Sequence, residues 1–376
     1  MTKMLSGIGS LSQLSALLAE FNAKTVLLVT GKASYSNSGA KSLVEAAMQD
    51  KTVVRFSDFD VNPKLEDAER GVALAIEAGV DLIVGVGGGS VMDMAKLIKA
   101  FYTAPEKSKE LAMGALAMTD PEIPMILVPT TAGSGSEATH FAVVYIGLDK
   151  YSLASQLLLP DAFILDGSLI ASATPYQIAC NGLDALAQAI ESTWAVGSTE
   201  QSRQYSFRAV SLCAKHLRES LDENARIEVF QDMMEAANLA GKAINISKTT
   251  AAHAWSYGIT SHHGVPHGHA VWLTLPRIFE IHATASAGMV TDPRGIEHFT
   301  SVMSRLMDIL GIASPEDSAR HLKSFLQAIK VESDMAELGA ATNKQREFLS
   351  QQVNMQRMSN NPVSLRQAQV NNIFGI

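Results

Sequence analysis

Half of the histidines in this chain lie close together in the sequence. Five of the ten fall between His253 and His269. Upstream, Asp184 and Gln188 are four residues apart in an apolar segment, so they would share one face of a helix. A carboxylate with several imidazoles suits a divalent cation such as Zn²⁺ or Fe²⁺, which could polarise a carbonyl oxygen. The same histidines could instead be ordinary surface residues, and both interpretations stay open at this point.

Two glycine-rich segments indicate a second kind of chemistry, the binding of phosphate groups. Each follows a short apolar run, and the first also precedes a helical pattern. The residues concerned are Gly87, Gly88, Gly89 and Ser90 in the first segment and Thr130, Thr131 and Ser134 in the second. Unhindered amides at the start of a helix, with hydroxyls nearby, bind a pyrophosphate. Two such segments predict a dinucleotide site, although glycines in a tight turn could also be purely conformational.

An earlier apolar run ends at a position that bears on the choice of coenzyme. After Thr30, doubly wound folds often carry an acid that binds the adenosine ribose hydroxyls, whereas this chain has Gly31 followed by Lys32. The missing carboxylate and the added positive charge leave room for a 2′-phosphate. NADPH is therefore expected slightly ahead of NADH, unless Lys32 is simply a solvated loop lysine.

Two different kinds of structure must position these residues. In the first half, runs that are apolar on successive residues alternate with helical patterns, which is typical of buried parallel strands in βαβ units. The predicted strands are 25–30, 53–56, 81–86, 124–128 and 162–165. The predicted helices beyond residue 174 are 176–194, 202–217, 227–243, 250–262, 293–310 and 315–329. We expect an α/β Rossmann-like domain over 1–170 and an all-α domain over 171–376. The cleft between two such domains is the usual place for an active site, and we expect it there.

The composition excludes several classes of partner. The net charge is −8 and the pI is near 5.7, so no global positive field exists to attract nucleic acid or anionic lipid. Only two cysteines occur, which favours a reducing cytoplasm over a disulfide framework. We find no export signal and no apolar run long enough to span a membrane. We expect a cytoplasmic homodimer that acts on a small molecule.

The chain resembles the iron-containing (group III) alcohol dehydrogenase family in four separated motifs. They are GGGSVMDMAK, PTTAGSGSE, the helix with Asp184 and the segment from His253 to His267. The resemblance implies a dehydroquinate-synthase-like fold, NAD(P)H on the first domain and a metal held by one Asp and three His. Asp184, His253 and His267 match three of these ligands, whereas Gln188 stands where the family has a histidine.

The resemblance also implies roles for further residues. Asp93 and Lys96 lie one turn into the helix after the first glycine-rich segment and are expected to face the nicotinamide, with Asp93 a catalytic candidate. Tyr257 stands where the family has another cleft histidine. Tyr257 and His263 are the candidates for the proton donor.

Several loops are similar to those of the phosphonoacetaldehyde reductase branch of the family, among them KYSLASQLLLPD and VNMQRMSNNPV. The implied reaction is the NAD(P)H-dependent reduction of phosphonoacetaldehyde to 2-hydroxyethylphosphonate. A dianionic substrate requires cationic donors. The candidates, each of which could equally be a surface charge, are Lys150, Lys248, His262 and Arg357.

Three other functions stay open. The first is a general short-chain alcohol or aldehyde dehydrogenase of the same family. The second is a metal-dependent lyase of the dehydroquinate-synthase type, which would need several convergent basic residues, and few lie near the histidine segment. The third is a protein that binds a nucleotide without catalysis.

Overall fold

Six strands of the amino-terminal part form one parallel sheet in the computed structural model, which describes residues 2–147 and 149–376. The strands of the chain are β1 (Lys3–Ser6), β2 (Thr25–Thr30), β3 (Thr52–Phe56), β4 (Leu82–Gly87), β5 (Met125–Pro129), β6 (Phe141–Ile146), β7 (Asp149–Ala154) and β8 (Ala162–Leu165). The order in the sheet is β1-β8-β5-β4-β2-β3, while β6 and β7 form a separate antiparallel pair. In this order β4 lies between β2 and β5.

The central strands were predictable because both of their faces are covered. Every residue of β4, β5 and β8 is buried, and so is all of β2 after Thr25. Strands buried on both faces are apolar on successive residues rather than on alternate ones. The predicted α/β domain with a parallel sheet is therefore confirmed.

Two elements differ from the prediction. Strand β1 was not predicted; it is a mostly exposed edge strand that pairs with β8. Its backbone hydrogen bonds, and not an apolar pattern, hold it in the sheet. The hairpin of β6 and β7 was also not predicted, because much of it is exposed and it lacks a continuous apolar run.

The chain divides into two compact units. Unit 1 runs to Ala173 and also takes in Arg226–Asn238; unit 2 consists of Thr174–Ala225 and Leu239–Ile376. The helices of unit 1 before this insertion are α1 (Leu14–Glu20), α2 (Ser34–Asn37), α3 (Ala40–Ala47), α4 (Leu65–Ala78), α5 (Gly89–Phe101) and α6 (Ser108–Ala112).

Unit 2 is helical, as predicted. Its helices are α7 (Pro175–Trp194), α8 (Glu200–His216), α10 (Ala251–His263), α11 (His267–Trp272), α12 (Leu275–Ala283), α13 (Gly295–Leu310), α14 (Ser318–Ala328), α15 (Asn343–Gln351), α16 (Met355–Met358) and α17 (Gln367–Phe374). Helix α9 (Ile227–Ser247) contributes residues to both units. Helix α7 packs against α8 and α11, and α10 packs against α11 and α16. Among the described residues, the structure contains no helix with both the length and the apolar character needed to cross a membrane.

Candidate active site

The two glycine-rich segments of unit 1 meet at one edge of the sheet. Strands β4 and β5 are parallel neighbours, with Gly87 opposite Pro129, and the backbone N–H of Thr130 donates to the carbonyl of Gly87 over 2.9 Å. The first segment leads directly into α5 and the second follows β5. Both loops therefore lie at the carboxyl ends of parallel strands, which is where doubly wound sheets bind nucleotides.

The glycines of the first segment allow close packing. A Cβ atom on Gly87 would lie 2.4 Å from Cγ2 of Val91. A Cβ atom on Gly89 would lie 3.0 Å from the Ser134 hydroxyl of the second segment. Glycine here lets the backbone approach its neighbours and leaves the first amides of the thirteen-residue α5 unhindered.

Asp93 and Lys96 both bind the second segment and the start of β6 that follows it. The Asp93 carboxylate accepts hydrogen bonds from the Ser136 hydroxyl over 2.8 Å and from the Val143 backbone over 3.1 Å. The fully buried Lys96 ammonium donates to the carbonyls of Ser136, Thr139 and Phe141 over 2.6 to 3.0 Å. Burial raises the pKa of Asp93, while the neighbouring Lys96 charge opposes this change.

The other predicted coenzyme residues lie at the same edge. Gly31 directly follows β2, which is paired with β4. The Lys32 ammonium lies 3.8 Å from an oxygen of Asp58 and 3.5 Å from an oxygen of Asp60. The Ser90 hydroxyl, at the start of α5, accepts a hydrogen bond from the backbone of Asn62 over 3.3 Å.

In unit 2, helix α7 carries three polar side chains along one buried stripe. A capping box of Thr174 and Gln177 starts this helix. Asp184, Gln188 and Glu191 follow at intervals of four and three residues, which places them on one face. All three are buried, although carboxylates are rarely buried unless they are paired.

The histidines come from the next helical segment. His253 lies in the first turn of α10, and the segment from Gly264 to Pro266 reverses the chain so that α11 begins at His267. Gly268 allows α11 to pack tightly on α7, since a Cβ atom there would lie 2.0 Å from the carbonyl oxygen of Cys180 and 2.8 Å from Cβ of Asp184. The close helix contact brings His267 to Asp184.

Asp184, His253 and His267 form one compact cluster. Their candidate ligand atoms all lie within 4.8 Å of one another. Nε2 of His253 is 3.5 Å from Oδ1 of Asp184, and Nε2 of His267 is 3.8 Å from the same oxygen. Burial alone would raise the pKa of Asp184, but the two imidazoles and the Gln188 amide lower it. These separations suit donor atoms that share one cation at bonds of about 2.1 Å.

Three buried polar atoms, two in this cluster and one in the adjacent Gln188, have no hydrogen-bond partner in the described part of the chain. They are Oδ1 of Asp184, Oε1 of Gln188 and Nε2 of His253. Leaving such atoms unsatisfied is unfavourable by roughly 1–3 kcal/mol each. A divalent cation would satisfy a carboxylate, an imidazole and an amide oxygen at once, so the residues present fit a metal site.

The sequence analysis missed Glu191, which holds His253. Its carboxylate accepts a hydrogen bond from Nδ1 of His253 over 2.5 Å and others from the backbones of Thr250 and Ala252 over 3.0 and 2.7 Å. The interaction leaves Nε2 of His253 facing Asp184. The only signal in the sequence was an acid placed on the Asp184 stripe of a mostly apolar helix.

The two candidates for the proton donor have different surroundings. The Tyr257 ring stacks on His267 with a centroid distance of 5.8 Å and an angle of 9°. The His263 ring packs against Gly339, and the exposed His262 contacts the edge of Phe348. Of these, Tyr257 is the one in contact with the cluster.

Two of the four candidate phosphonate residues lie beside each other. Lys248 is half-buried, five residues before His253, and burial together with the positive charge of Arg357 lowers its pKa. Arg357 is buried in α16, next to α10, where the backbone N–H of Asn354 donates to the carbonyl of Ala254 over 3.0 Å. Lys150 belongs to unit 1, where its ammonium lies 5.9 Å from the Tyr145 ring.

Comparison with known families covers nearly the whole chain. The model of the family described as iron-containing alcohol dehydrogenase matches residues 1–167. A second model, described as the C-terminal part of the Fe-containing alcohol dehydrogenase family, matches residues 178–375.

Individual relatives agree with these matches. Phosphonoacetaldehyde reductase from Streptomyces viridochromogenes is 32% identical over 334 residues, which are 86% of this chain and 83% of that protein. Long-chain-alcohol dehydrogenase 1 from Geobacillus thermodenitrificans is 30% identical and covers 72% of this chain and 70% of its own length. Among solved structures, sulfoacetaldehyde reductase from Bifidobacterium kashiwanohense in complex with NAD⁺ has a TM-score of 0.88 at 26% identity, over 100% of this chain and 96% of that chain.

Proposed function

Because the chain belongs to the iron-containing alcohol dehydrogenase family, we propose that it reduces phosphonoacetaldehyde to 2-hydroxyethylphosphonate. Membership makes the protein an NAD(P)-dependent oxidoreductase of aldehydes and alcohols. In the proposed reaction, the aldehyde carbon gains a hydride from the reduced nicotinamide and the carbonyl oxygen gains a proton. The products are the primary alcohol and the oxidised coenzyme.

The proposed substrate rests on the pair of cations formed by Lys248 and Arg357. Burial and the positive charge of Arg357 lower the pKa of Lys248, so the two cations repel each other, and a bound anion would offset this repulsion. No carboxylate among the described residues lies within ion-pair distance of Arg357, which is nevertheless buried. A planar guanidinium can bind two oxygens of a phosphonate at once, and the ammonium adds a point charge.

The position of this pair also supports an anionic aldehyde. Lys248 lies three residues before the first residue of the His253 helix, and the Arg357 helix packs on the same helix. A two-carbon aldehyde with an acidic head group is short, so its anion and its carbonyl must be bound close together. Two of the relatives act on such compounds by name, a phosphonoacetaldehyde and a sulfoacetaldehyde.

We assign the metal to Asp184, His253 and His267, with Gln188 as the fourth donor. A carboxylate, two imidazoles and an amide oxygen suit Fe²⁺ or Zn²⁺. A bound cation of this kind would polarise the aldehyde carbonyl, and a bound reduced nicotinamide would supply the hydride. The protein itself binds the phosphonate and orients the carbonyl.

Other residues take supporting roles in this proposal. Tyr257 is the better candidate for proton delivery, since it stacks on His267 whereas His263 packs against Gly339. Asp93 and Lys96 shape the coenzyme site indirectly, because their polar atoms bind the segment after β5. Gly88 and Thr131 lie where the two coenzyme loops meet.

The decisive experiment follows the absorbance of the reduced nicotinamide. The purified protein, loaded with Fe²⁺ or Zn²⁺, is mixed with phosphonoacetaldehyde, acetaldehyde, propionaldehyde or a long-chain aldehyde. We expect turnover that is strongest with phosphonoacetaldehyde. Preference for a neutral aldehyde would instead identify a general alcohol dehydrogenase, and no turnover with any aldehyde would refute the proposed reaction.

A further inference from the structure

We propose that Arg55 and Ser34 form a binding site for the 2′-phosphate of NADPH and make it the preferred coenzyme. The inference rests on the proposed function only in that a nicotinamide coenzyme binds to unit 1. Its ligand class is a phosphate monoester on an adenosine ribose. Arg55 was not among the residues that the sequence indicated.

The site lies where the adenosine ribose is expected. Gly31 follows β2, and β2 is paired with β4 so that Thr30 lies opposite Val86. The position after β2 is therefore next to the glycine-rich segment that begins at Gly87. In doubly wound folds an acid near this position binds the ribose hydroxyls of NADH, and an arginine accommodates the 2′-phosphate of NADPH.

The Ser34 hydroxyl fills the space beside position 31. A Cβ atom on Gly31 would lie 2.1 Å from the hydroxyl oxygen of Ser34. A side chain there would require the Ser34 hydroxyl to rotate away. A hydroxyl thus occupies the space of the missing carboxylate, and a hydroxyl can donate to a phosphate oxygen.

Arg55 is held in place at the same edge. It lies in β3 opposite Leu28, and its Nε donates to the Thr30 hydroxyl over 2.9 Å. One terminal nitrogen donates to the carbonyl of Gly31 over 3.2 Å, and the guanidinium lies 4.9 Å from the centre of the Tyr35 ring. A guanidinium has five N–H donors, these bonds use two, and the remaining three are available to a phosphate.

The carboxylates nearby also favour Arg55 over its neighbour Lys32 as the residue that binds the 2′-phosphate. Lys32 lies within ion-pair distance of Asp58 and Asp60, which offset part of its positive charge. Across residues 2–147 and 149–376, the structure pairs Arg55 with no carboxylate. Among the described residues, Arg55 is therefore the cation at the end of β2 that forms no ion pair with a carboxylate.

The test measures coenzyme binding without any aldehyde. The wild-type protein and the Arg55→Gln, Lys32→Gln and Arg320→Gln variants are titrated with NADPH and NADH, with coenzyme fluorescence as the readout. Arg320 is a matched control, because it is an exposed arginine on unit 2 that pairs with Asp317. Competition by 2′,5′-ADP and by 5′-AMP isolates the contribution of the phosphate.

We expect the wild-type protein to bind NADPH more tightly than NADH and 2′,5′-ADP more tightly than 5′-AMP. Loss of one charge-assisted interaction in Arg55→Gln should weaken NADPH binding by about tenfold to a hundredfold and leave NADH binding within about twofold. Lys32→Gln should have a smaller effect and Arg320→Gln none. Arg55→Lys keeps the positive charge but loses the planar guanidinium with its several N–H donors. Its NADPH affinity should lie between those of the wild type and Arg55→Gln.

Equal binding of NADPH and NADH by the wild-type protein would overturn the proposal. Equal weakening of both coenzymes in Arg55→Gln would also overturn it, because that result indicates a structural role in the sheet. Thermal unfolding of each variant identifies a folding defect, and Arg55→Lys then decides the question. Since no aldehyde is present, failure of phosphonoacetaldehyde reduction would leave this result unaffected.

Discussion

Nδ1 of His253 lies 2.5 Å from a carboxylate oxygen of Glu191, and both side chains are fully enclosed in unit 2. Burial would raise the pKa of Glu191, but the imidazole of His253 and the bonds from Thr250 lower it. A carboxylate that accepts Nδ1–H fixes the tautomer of a histidine and leaves Nε2 for a metal. Glu191 therefore positions a ligand without contacting the metal.

Replacement of this carboxylate by an amide should weaken metal binding. In Glu191→Gln an NH₂ group can donate to Nδ1 of His253, which would place the proton on Nε2, where the metal should bind. We expect Zn²⁺ affinity to fall by about tenfold to a hundredfold. Competition with a chromophoric chelator measures this affinity in the absence of substrate.

Thermal unfolding of the metal-free protein provides the control for Glu191→Gln. A ligand-positioning role predicts a larger change in metal affinity than in the stability of the metal-free state. If Zn²⁺ affinity stays at the wild-type value, Glu191 does not position His253 for a metal.

Gly268 tests whether the close contact between α7 and α11 builds the metal site. Gly268→Ala places a methyl group against the carbonyl of Cys180, so α11 must move away and take His267 with it. We expect the free energy of unfolding to fall by about 1–3 kcal/mol and metal affinity to fall as well. Gly288→Ala is the matched control, since a Cβ atom there has no neighbour within 4 Å. Similar metal affinity in both variants would contradict this packing argument.

The amide at position 188 should be a weak ligand. In Gln188→His an imidazole nitrogen replaces the buried Oε1 beside Asp184, which has no hydrogen-bond partner among the residues that the structure describes. We expect Zn²⁺ affinity to rise by about tenfold, which corresponds to ~1.4 kcal/mol. Isothermal titration of both proteins with Zn²⁺ measures the change. Unchanged affinity together with a higher KM would show that Gln188 contacts the substrate instead of the metal.

Lys248 should make substrate binding sensitive to alkaline pH. Burial and the charge of Arg357 lower its pKa, so the ammonium is lost at a lower pH than in an ordinary lysine. As the pH rises through this lowered pKa, the KM for phosphonoacetaldehyde should increase, whereas that for propionaldehyde should not. In Lys248→Arg the charge persists, and the increase should move to higher pH. Identical pH profiles for the two proteins would exclude Lys248 from phosphonate binding.

The sequence predicted those parts of the fold that depend on local pattern. Strands such as β4 and helices such as α7 have apolar residues throughout or on one stripe, and each lies within a residue or two of its predicted bounds. Strand β1 was missed because its place depends on pairing with β8, some 160 residues later, and not on its own composition. Long-range pairing of this kind leaves little trace in a short exposed segment.

The candidate site likewise contains residues that the sequence identified and residues that it missed. Asp184 and the histidines were identifiable by type and spacing, because those residues suit a cation. Glu191 and Arg55 were missed, since an acid in a helix or an arginine in an edge strand is usually a solvated charge. Their roles follow from contacts with His253 and with Gly31, which only the folded chain brings together.

The most direct test of phosphonate reduction compares two substrates in the wild-type protein and in Arg357→Leu. We expect kcat/KM of the wild type to be higher for phosphonoacetaldehyde than for propionaldehyde. In Arg357→Leu, the value for phosphonoacetaldehyde should fall by about tenfold to a hundredfold, because one or more charge-assisted hydrogen bonds are lost. The value for propionaldehyde should stay within about twofold. Equal losses on both substrates, or equal efficiencies of the wild-type protein on both, would contradict a site built for a phosphonate.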